Sequence, residues 1–175
     1  MHVPPIWTHY SYVMLQKVIS GGQTGVDRAA LDAAMAVGLP IGGWCPKGRR
    51  AEDGVLANRY PLEETPRRFH RQRTEWNVRD SDGTLILYWG ELHGGTLATI
   101  KLAREKYRRP LLIVNLLEST DAQQVVDWIY DNNIKTLNIA GPRASSRPGI
   151  YAMARAYLEQ VFTMRGGGQD KSNLE

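Results

Sequence analysis

A glycine-rich stretch near the start of the chain has residue types suited to binding phosphate. Residues 20–27 read Ser-Gly-Gly-Gln-Thr-Gly-Val-Asp and separate a short apolar run from an alanine-rich amphipathic run. This order predicts a strand, a glycine turn and a helix. Because glycine has no Cβ, such a turn lets the backbone approach a ligand closely. The unpaired N–H groups at the start of the helix favour anions, and phosphate is the usual one.

The turn matches neither of two well-known phosphate loops. A P-loop has a lysine directly after its second glycine, and this turn has none. The dinucleotide fingerprint Gly-x-Gly-x-x-Gly has Ser20 in its first position here, and the next predicted strand runs into the basic segment 44–50 instead of an acidic residue. Dinucleotide binding is therefore disfavoured, and a plain strand-to-helix turn remains the alternative.

Four special loops each follow a predicted strand. They are residues 20–25, 44–54, 90–96 and 141–146, and the third carries a second glycine pair before a helix. Apolar runs at 15–19, 39–43, 84–89, 110–115 and 136–140 predict the strands, and amphipathic segments between them predict helices. This alternation predicts an α/β fold, a mostly parallel sheet with helices on both faces. The carboxyl ends of its strands meet at one edge, so the four loops are predicted to form one site.

Helix starts are predicted from hydroxyl residues. Thr24 and Thr96 have the positions of N-caps, although a cap hydroxyl can also contact an anion. Thr120 and Gln123 have the spacing of a capping box. Pro148 suits the first turn of the last helix. We expect one domain at residues 14–163, an N-terminal extension at 1–13 and a flexible tail at 164–175.

Charge and composition limit the function classes. The chain has 175 residues and a net charge of +4. Segment 47–79 is basic, which predicts either an anion-attracting rim or an ordinary solvated face. Aromatic residues are sparse there, so nucleic acid is disfavoured as a partner. One cysteine and no apolar run long enough for a membrane span predict a cytoplasmic protein without membrane contact.

The candidate ligand-binding residues come from the four loops. Asp27 lies in the first turn of the first helix, where it can interact with the helix dipole or accept a ligand hydrogen bond. The cationic side chains among the candidates are expected either in solvent or facing phosphate. The candidates are Gly21, Gly22, Gln23, Thr24, Gly25, Asp27, Lys47, Arg49, His93, Gly94, Gly95, Thr96 and Arg143.

No catalytic or metal-binding residue is assigned from the sequence. Cys45 has a thiol that could ligate molybdenum, but a thiol without a ligand role is the favoured interpretation. The four histidines show no metal-ligand spacing with Cys45 or with each other. Neither a Ser/His/Asp nor a Cys/His arrangement is recognisable.

An ordered set of motifs resembles the family of molybdenum cofactor carrier proteins. The motifs are residues 21–27, 43–49, 51–54, 80–84, 94–96 and 140–143, and the resemblance covers about residues 14–162. The wider superfamily includes the lysine decarboxylase-like cytokinin-activating enzymes and the DNA-processing protein. The resemblance implies a Rossmann-like three-layer αβα sandwich, a homo-oligomer (dimer or tetramer) and a pocket for a phosphorylated pterin or nucleotide-like ligand. Molybdenum cofactor (molybdopterin) is the implied cargo.

The cytokinin-activating relatives are phosphoribohydrolases with the motif Pro-Gly-Gly-x-Gly-Thr-x-x-Glu. Gly95 and Thr96 match its Gly-Thr, whereas Thr99 stands at the position of the glutamate. A hydroxyl cannot replace a carboxylate base near pH 7. We therefore expect binding without turnover. The alternatives are a nucleotide phosphoribohydrolase, with Glu91 as substitute carboxylate, and a nucleic-acid-binding module.

Overall fold

The computed structural model describes residues 15–118 and 121–164. The predicted N-terminal extension lies outside the described residues, as does the predicted tail beyond Met164. The strands are β1 (Lys17–Ile19), β2 (Ile41–Gly42), β3 (Trp44–Cys45), β4 (Arg50–Ala51), β5 (Gly54–Val55), β6 (Glu63–Glu64), β7 (Gly83–Tyr88), β8 (Leu111–Asn115) and β9 (Thr136–Ala140). The helices are α1 (Val26–Ala36), α2 (His70–Arg79), α3 (Gly94–Lys101), α4 (Ala122–Asp131) and α5 (Ile150–Met164), with a π-helical segment at Leu102–Lys106.

The central sheet has five parallel strands in the order β2-β1-β9-β7-β8. Strand β7 lies inside the sheet, and its residues Leu85, Ile86 and Leu87 have no exposed surface. A continuous apolar run is what a parallel strand covered on both faces requires. The predicted α/β Rossmann-like fold with a mostly parallel sheet is thus confirmed. Among the described residues, the helices are all too short or too polar to cross a bilayer.

The second helix, α2, was not predicted. Its sequence is strongly polar, and its buried residues are Thr74, Asn77 and Val78. Asn77 holds the helix on β3 because its side-chain amide donates to the Trp44 carbonyl at 3.0 Å and its side-chain oxygen accepts from the Trp44 N–H at 2.8 Å. The Trp44 and Trp76 rings also meet edge to face with centroids 4.6 Å apart. Hydrophobic periodicity cannot reveal a helix whose attachment is this polar.

The predicted helix caps are wrong. Helix α1 has Gly25 as its N-cap and α3 has His93, so Thr24 and Thr96 are not caps. Helix α4 is capped by Asp121, whose carboxylate accepts from the Gln123 N–H at 2.9 Å. Asp121 occupies the cap position that the sequence analysis gave to Thr120, a residue outside the described ranges.

Two glycines bring the loops at the carboxyl edge into backbone contact. Gly25 has φ +81°, and a Cβ on it would lie 2.4 Å from the Pro142 carbonyl oxygen. A Cβ on Gly141 would lie 2.2 Å from the Leu87 carbonyl oxygen and 2.6 Å from Val26 Cγ2. All three distances are shorter than the contacts that a side-chain Cβ makes in proteins. The loop after β9 is therefore packed against the loop after β1, strand β7 and the start of α1 at distances that require glycine.

We predict that Gly141→Ala lowers the free energy of unfolding by about 1–3 kcal/mol, because overpacking forces the backbone apart. Gly95→Ala is the matched control, since a Cβ on Gly95 meets no atom within 4 Å and neither glycine has positive φ. Alanine at Gly95 should leave stability unchanged or raise it by roughly 0.5–1 kcal/mol. Urea denaturation measures both changes. Equal losses in the two variants would contradict the close-packing explanation.

Candidate functional site

A cavity of about 300 Å³ lies at the carboxyl edge of the sheet. Its wall is formed by the loops after β1, β7 and β9 together with residues of α1, α2 and α3. Seven of the thirteen candidate residues line it, namely Gln23, Asp27, His93, Gly94, Gly95, Thr96 and Arg143. The residues that sequence analysis did not propose as ligand contacts include His70, Arg73, Thr74, Thr99 and Ser146.

The start of α3 presents its backbone to the cavity. Gly94 has φ +56°, and a Cβ on Gly94 or Gly95 would meet no atom within 4 Å. The first N–H groups of a helix have no partner inside the helix. Gly94 and Gly95 are exposed and line the cavity at the positive end of the helix dipole. This is the part of the site where an oxyanion can reach main-chain donors.

The first glycine turn has a different structural role from the predicted phosphate contact. A Cβ on Gly21 would lie 1.9 Å from Arg73 Nη1, so Gly21 makes room for that guanidinium. Gly22 has φ +76°, and its Cβ would lie 2.8 Å from Leu56 Cδ2. Gly21, Gly22 and Gly25 are all absent from the cavity wall. Their lack of a side chain serves internal packing.

Asp27 and Arg73 form a buried ion pair beside the cavity. Arg73 Nη1 lies 3.1 Å from Asp27 Oδ2, and the two side chains are 13% and 4% exposed. Burial raises the pKa of the Asp27 carboxyl, against the opposing effects of Arg73 and of the hydrogen bond from the Gln23 N–H. From the sequence, Asp27 is expected to interact with the helix dipole or to accept a hydrogen bond from a ligand. Its ion-pair partner Arg73 comes from α2, the helix that the sequence did not reveal.

Cationic groups surround the mouth of this cavity. Enclosure by neighbouring atoms lowers the pKa of His70, and the charges of Arg73, Arg50 and Arg143 lower it further. The charges of these three arginines are part of the cause, which indicates a positive potential around His70. Such a potential raises the local concentration of anions and favours their binding.

Lys47 and Arg49 are not part of the cavity wall. Lys47 is exposed, and its N–H donates to the Arg67 carbonyl at 3.0 Å. The Arg49 guanidinium donates to the Tyr60 carbonyl at 2.8 Å and the Leu62 carbonyl at 3.0 Å, which fixes the segment before β6. Thr24 is not part of the cavity wall, and its hydroxyl accepts from the Ala144 N–H at 3.1 Å.

The cavity wall carries acid–base groups, among them the His70 and His93 imidazoles. Thr99, at the position of the hydrolase glutamate, is 3% exposed, and its hydroxyl donates to the Gly95 carbonyl at 2.8 Å. Asp27 is the one carboxylate among the described residues that line the cavity, and it is ion-paired. Glu91 is exposed and lies off this wall. The arrangement is suited to holding an anion.

Cys45 lies away from the cavity, in an apolar cluster with Leu31, Leu56, Tyr60 and Leu62. It is 1% exposed, and burial raises the pKa of its thiol. This placement agrees with a packing role. Within residues 15–118 and 121–164, no group of three or more His, Cys, Asp or Glu side chains is arranged to hold a metal ion.

The comparison with known families matches residues 18–162 to the profile of the circularly permutated YpsA SLOG family, which spans all the loops around the cavity. The chain belongs to this family. A solved crystal structure, described as a "Putative molybdenum carrier protein" from Syntrophus aciditrophicus SB, is 45% identical to it with a TM-score of 0.79. The similarity covers 85% of this chain and 95% of that one. Curated proteins give no match. The family resemblance carried by the sequence motifs is confirmed.

The ion pair predicts strong coupling between Asp27 and Arg73. Arg73→Gln should lower the free energy of unfolding by about 3–5 kcal/mol, because it leaves a buried carboxylate without its partner. In an Asp27→Asn background the same substitution should cost only about 1 kcal/mol, since no buried charge is left behind.

Denaturant unfolding of the four proteins at pH 8 measures this coupling. Because burial raises the Asp27 pKa, the folded carboxyl holds its proton more tightly than the unfolded one. The stability that this proton contributes is present at low pH and is lost as the pH rises through the pKa of Asp27 in the folded protein. At pH 8 the carboxyl is therefore more ionised, and the charged pair is the state being measured. If the two single losses of unfolding free energy add up to the loss in the double variant, the two charges are not coupled.

Proposed function

We propose that this protein binds a phosphate-bearing pterin or nucleotide-like ligand in the cavity and carries it without turnover. Molybdenum cofactor is the proposed cargo, because the 45% identical structure is described as a molybdenum carrier protein. We further propose a cytoplasmic homo-oligomer, in line with the family resemblance. The dimensions support a small ligand, since a cavity of about 300 Å³ is at the lower end of ligand pockets.

The observation that carries the proposal is the open glycine start of α3 opposite cationic side chains. Gly94 and Gly95 offer accessible main-chain N–H groups, and His70, Arg73 and Arg143 lie on the same cavity. Arg73 is already paired with Asp27, so the charge available to a ligand is mainly that of Arg143, and the His70 imidazole can serve as a hydrogen-bond donor. Donors and charge of this kind are what a phosphate group requires.

Carriage without turnover is proposed because the chemistry of a phosphoribohydrolase is not supported by the wall. The Thr99 hydroxyl is engaged with the Gly95 carbonyl, and the Asp27 carboxylate is engaged with Arg73. Incubation with adenosine monophosphate (AMP) and an assay for free base separates a carrier from an enzyme. Mass spectrometry of small molecules released from the natively purified protein identifies the cargo.

Removing the Arg143 charge should weaken anion binding. We predict that Arg143→Ala raises the dissociation constant for AMP about 10- to 100-fold, the range of a lost hydrogen bond to a charged group. Lys135→Ala is the matched control, because it removes one positive charge at the opposite end of β9. Calorimetry should find its affinity unchanged within about twofold. Equal weakening in both variants would indicate nonspecific charge attraction.

Ligand binding should also change the ionisation of His70. Its pKa in the free protein is below the usual value because of enclosure and nearby arginines. The folded protein therefore binds this proton less tightly than the unfolded chain does, and the associated stability is lost as pH falls. A bound phosphate dianion should raise the His70 pKa by about one unit or more.

Titration of the imidazole resonances by NMR, with and without AMP, measures this shift, and His70→Gln assigns the resonance. His2 and His9 are present in the same chain and serve as internal references. An unchanged His70 pKa at saturating AMP would place the phosphate elsewhere.

A further inference from the structure

The Glu52 carboxylate, at the tip of the β4–β5 hairpin, is held by groups that would equally hold an oxyanion. The Ser145 N–H donates to Glu52 Oε1 at 3.1 Å. The hydroxyls of Thr24 and Ser145 donate to the same carboxylate. Arg143 Nε lies 3.5 Å from Glu52 Oε2. One main-chain N–H, two hydroxyls and a guanidinium are the donor set that proteins use for phosphate.

These donors are arranged independently of the hairpin. Thr24 follows β1, and Ser145 follows β9, so both belong to the carboxyl edge of the sheet. The Ala144 N–H donates to Thr24 Oγ1 at 3.1 Å and joins the two loops directly. Arg143 and Ser146, on either side of the 144–145 backbone, line the ligand cavity. The donor set therefore adjoins the cavity, and its position does not depend on Glu52.

The tip of the hairpin that carries Glu52 is attached by polar contacts. Strands β4 and β5 have two residues each, and Val55 is 77% exposed, whereas Leu56, directly after β5, is buried. Besides the Glu52 carboxylate, the tip is held by the Glu52 N–H, which donates to Gln23 Oε1 at 2.9 Å, and by the Asp53 carboxylate, which accepts from two Arg28 nitrogens at 2.6 and 3.1 Å. Segments with few apolar contacts open at low free-energy cost. Release of the Glu52 side chain from its donors is therefore energetically accessible.

Glu52 is an anion in this arrangement. Its partial burial opposes ionisation, but hydrogen bonds from Ser145 and Thr24 and the charge of Arg143 outweigh it and lower the pKa of the carboxyl. A carboxylate already occupies the donors at neutral pH. An external oxyanion would have to displace it.

We propose that Thr24, Arg143 and Ser145 form an oxyanion subsite for a phosphate group of the ligand, and that Glu52 occupies this subsite in the unliganded protein. The subsite deepens the proposed function and rests on it. Glu52 acts as an intramolecular competitor for phosphate. The apparent affinity is the intrinsic affinity multiplied by the fraction of molecules in which Glu52 has left the subsite. Ligand binding then replaces an internal carboxylate by an external phosphate.

The test compares Glu52→Ala with Glu63→Ala, using inorganic phosphate as the probe. Glu63 is an exposed residue of β6, so its removal changes the net charge equally but leaves the donor set intact. Calorimetry should show phosphate binding about fivefold tighter or more in Glu52→Ala. Glu63→Ala should match the unmodified protein. Glu52→Gln, which keeps the side-chain shape, should fall between them and decides the question if Glu52→Ala does not fold.

The amide resonance of Ser145 reports the subsite itself, and the His70 pKa reports the rest of the cavity. Tighter phosphate binding with a saturable Ser145 shift supports the subsite. Weaker or unchanged binding in Glu52→Ala, with the His70 pKa still rising on AMP addition, overturns the subsite and leaves the proposed function standing. If neither Ser145 nor His70 responds, both proposals fail.

Discussion

Close backbone contact of the loop after β9 with the loop after β1 and with strand β7 is the constraint on which the site depends. Gly25 lies against the Pro142 carbonyl, and Gly141 lies against the Leu87 carbonyl. A methyl group at either place would separate the loops, and with them the groups that the loops carry. Arg143 and Thr24 meet Glu52 from two different loops only because this packing fixes the distance between them. Gly25 lies off the cavity wall and acts through this packing, whereas Gly141 packs against β7 and also lines the cavity.

Helix α2 adds the electrostatic half of the site. It places Arg73 against the first turn, where Gly21 leaves space for it, and it places His70 at the cavity. Burying the Asp27–Arg73 pair costs desolvation, and such pairs contribute little net stability. Their value is positional, because an unpaired Asp27 would be unfavourable and so fixes where α2 lies. The same pair limits catalysis, since it engages the one carboxylate on the described cavity wall.

Sequence reasoning predicted the sheet well and the site only in part. The five central strands followed from apolar runs, which are a local signal, and the convergence of their loops followed from parallel topology. Helix α2 was missed because Asn77 attaches it to β3 through polar contacts that no periodicity shows. The glycines of the first turn were recognised, but the sequence does not show why glycine is required there. The atoms that exclude a Cβ come from Arg73, Leu56 and Pro142, which lie far along the chain. The carbonyl partners of Arg49 are also distant, up to thirteen residues later in the chain, so the sequence does not show that its guanidinium already has partners.

The charges around the cavity are balanced within the protein, and this balance shapes how an anion is accepted. Asp27 neutralises Arg73, and Glu52 lies beside Arg143. The first pair is buried, whereas the second lies at the tip of an exposed hairpin. In the proposed exchange, an arriving phosphate leaves the Asp27–Arg73 pair intact and gains Arg143 by displacing Glu52 into solvent. The exchange conserves the ion pairing inside the protein, so the free energy of binding reflects the difference between phosphate and carboxylate at one set of donors. A carrier benefits from such an exchange, because the internal carboxylate restores the unliganded state when the cargo leaves.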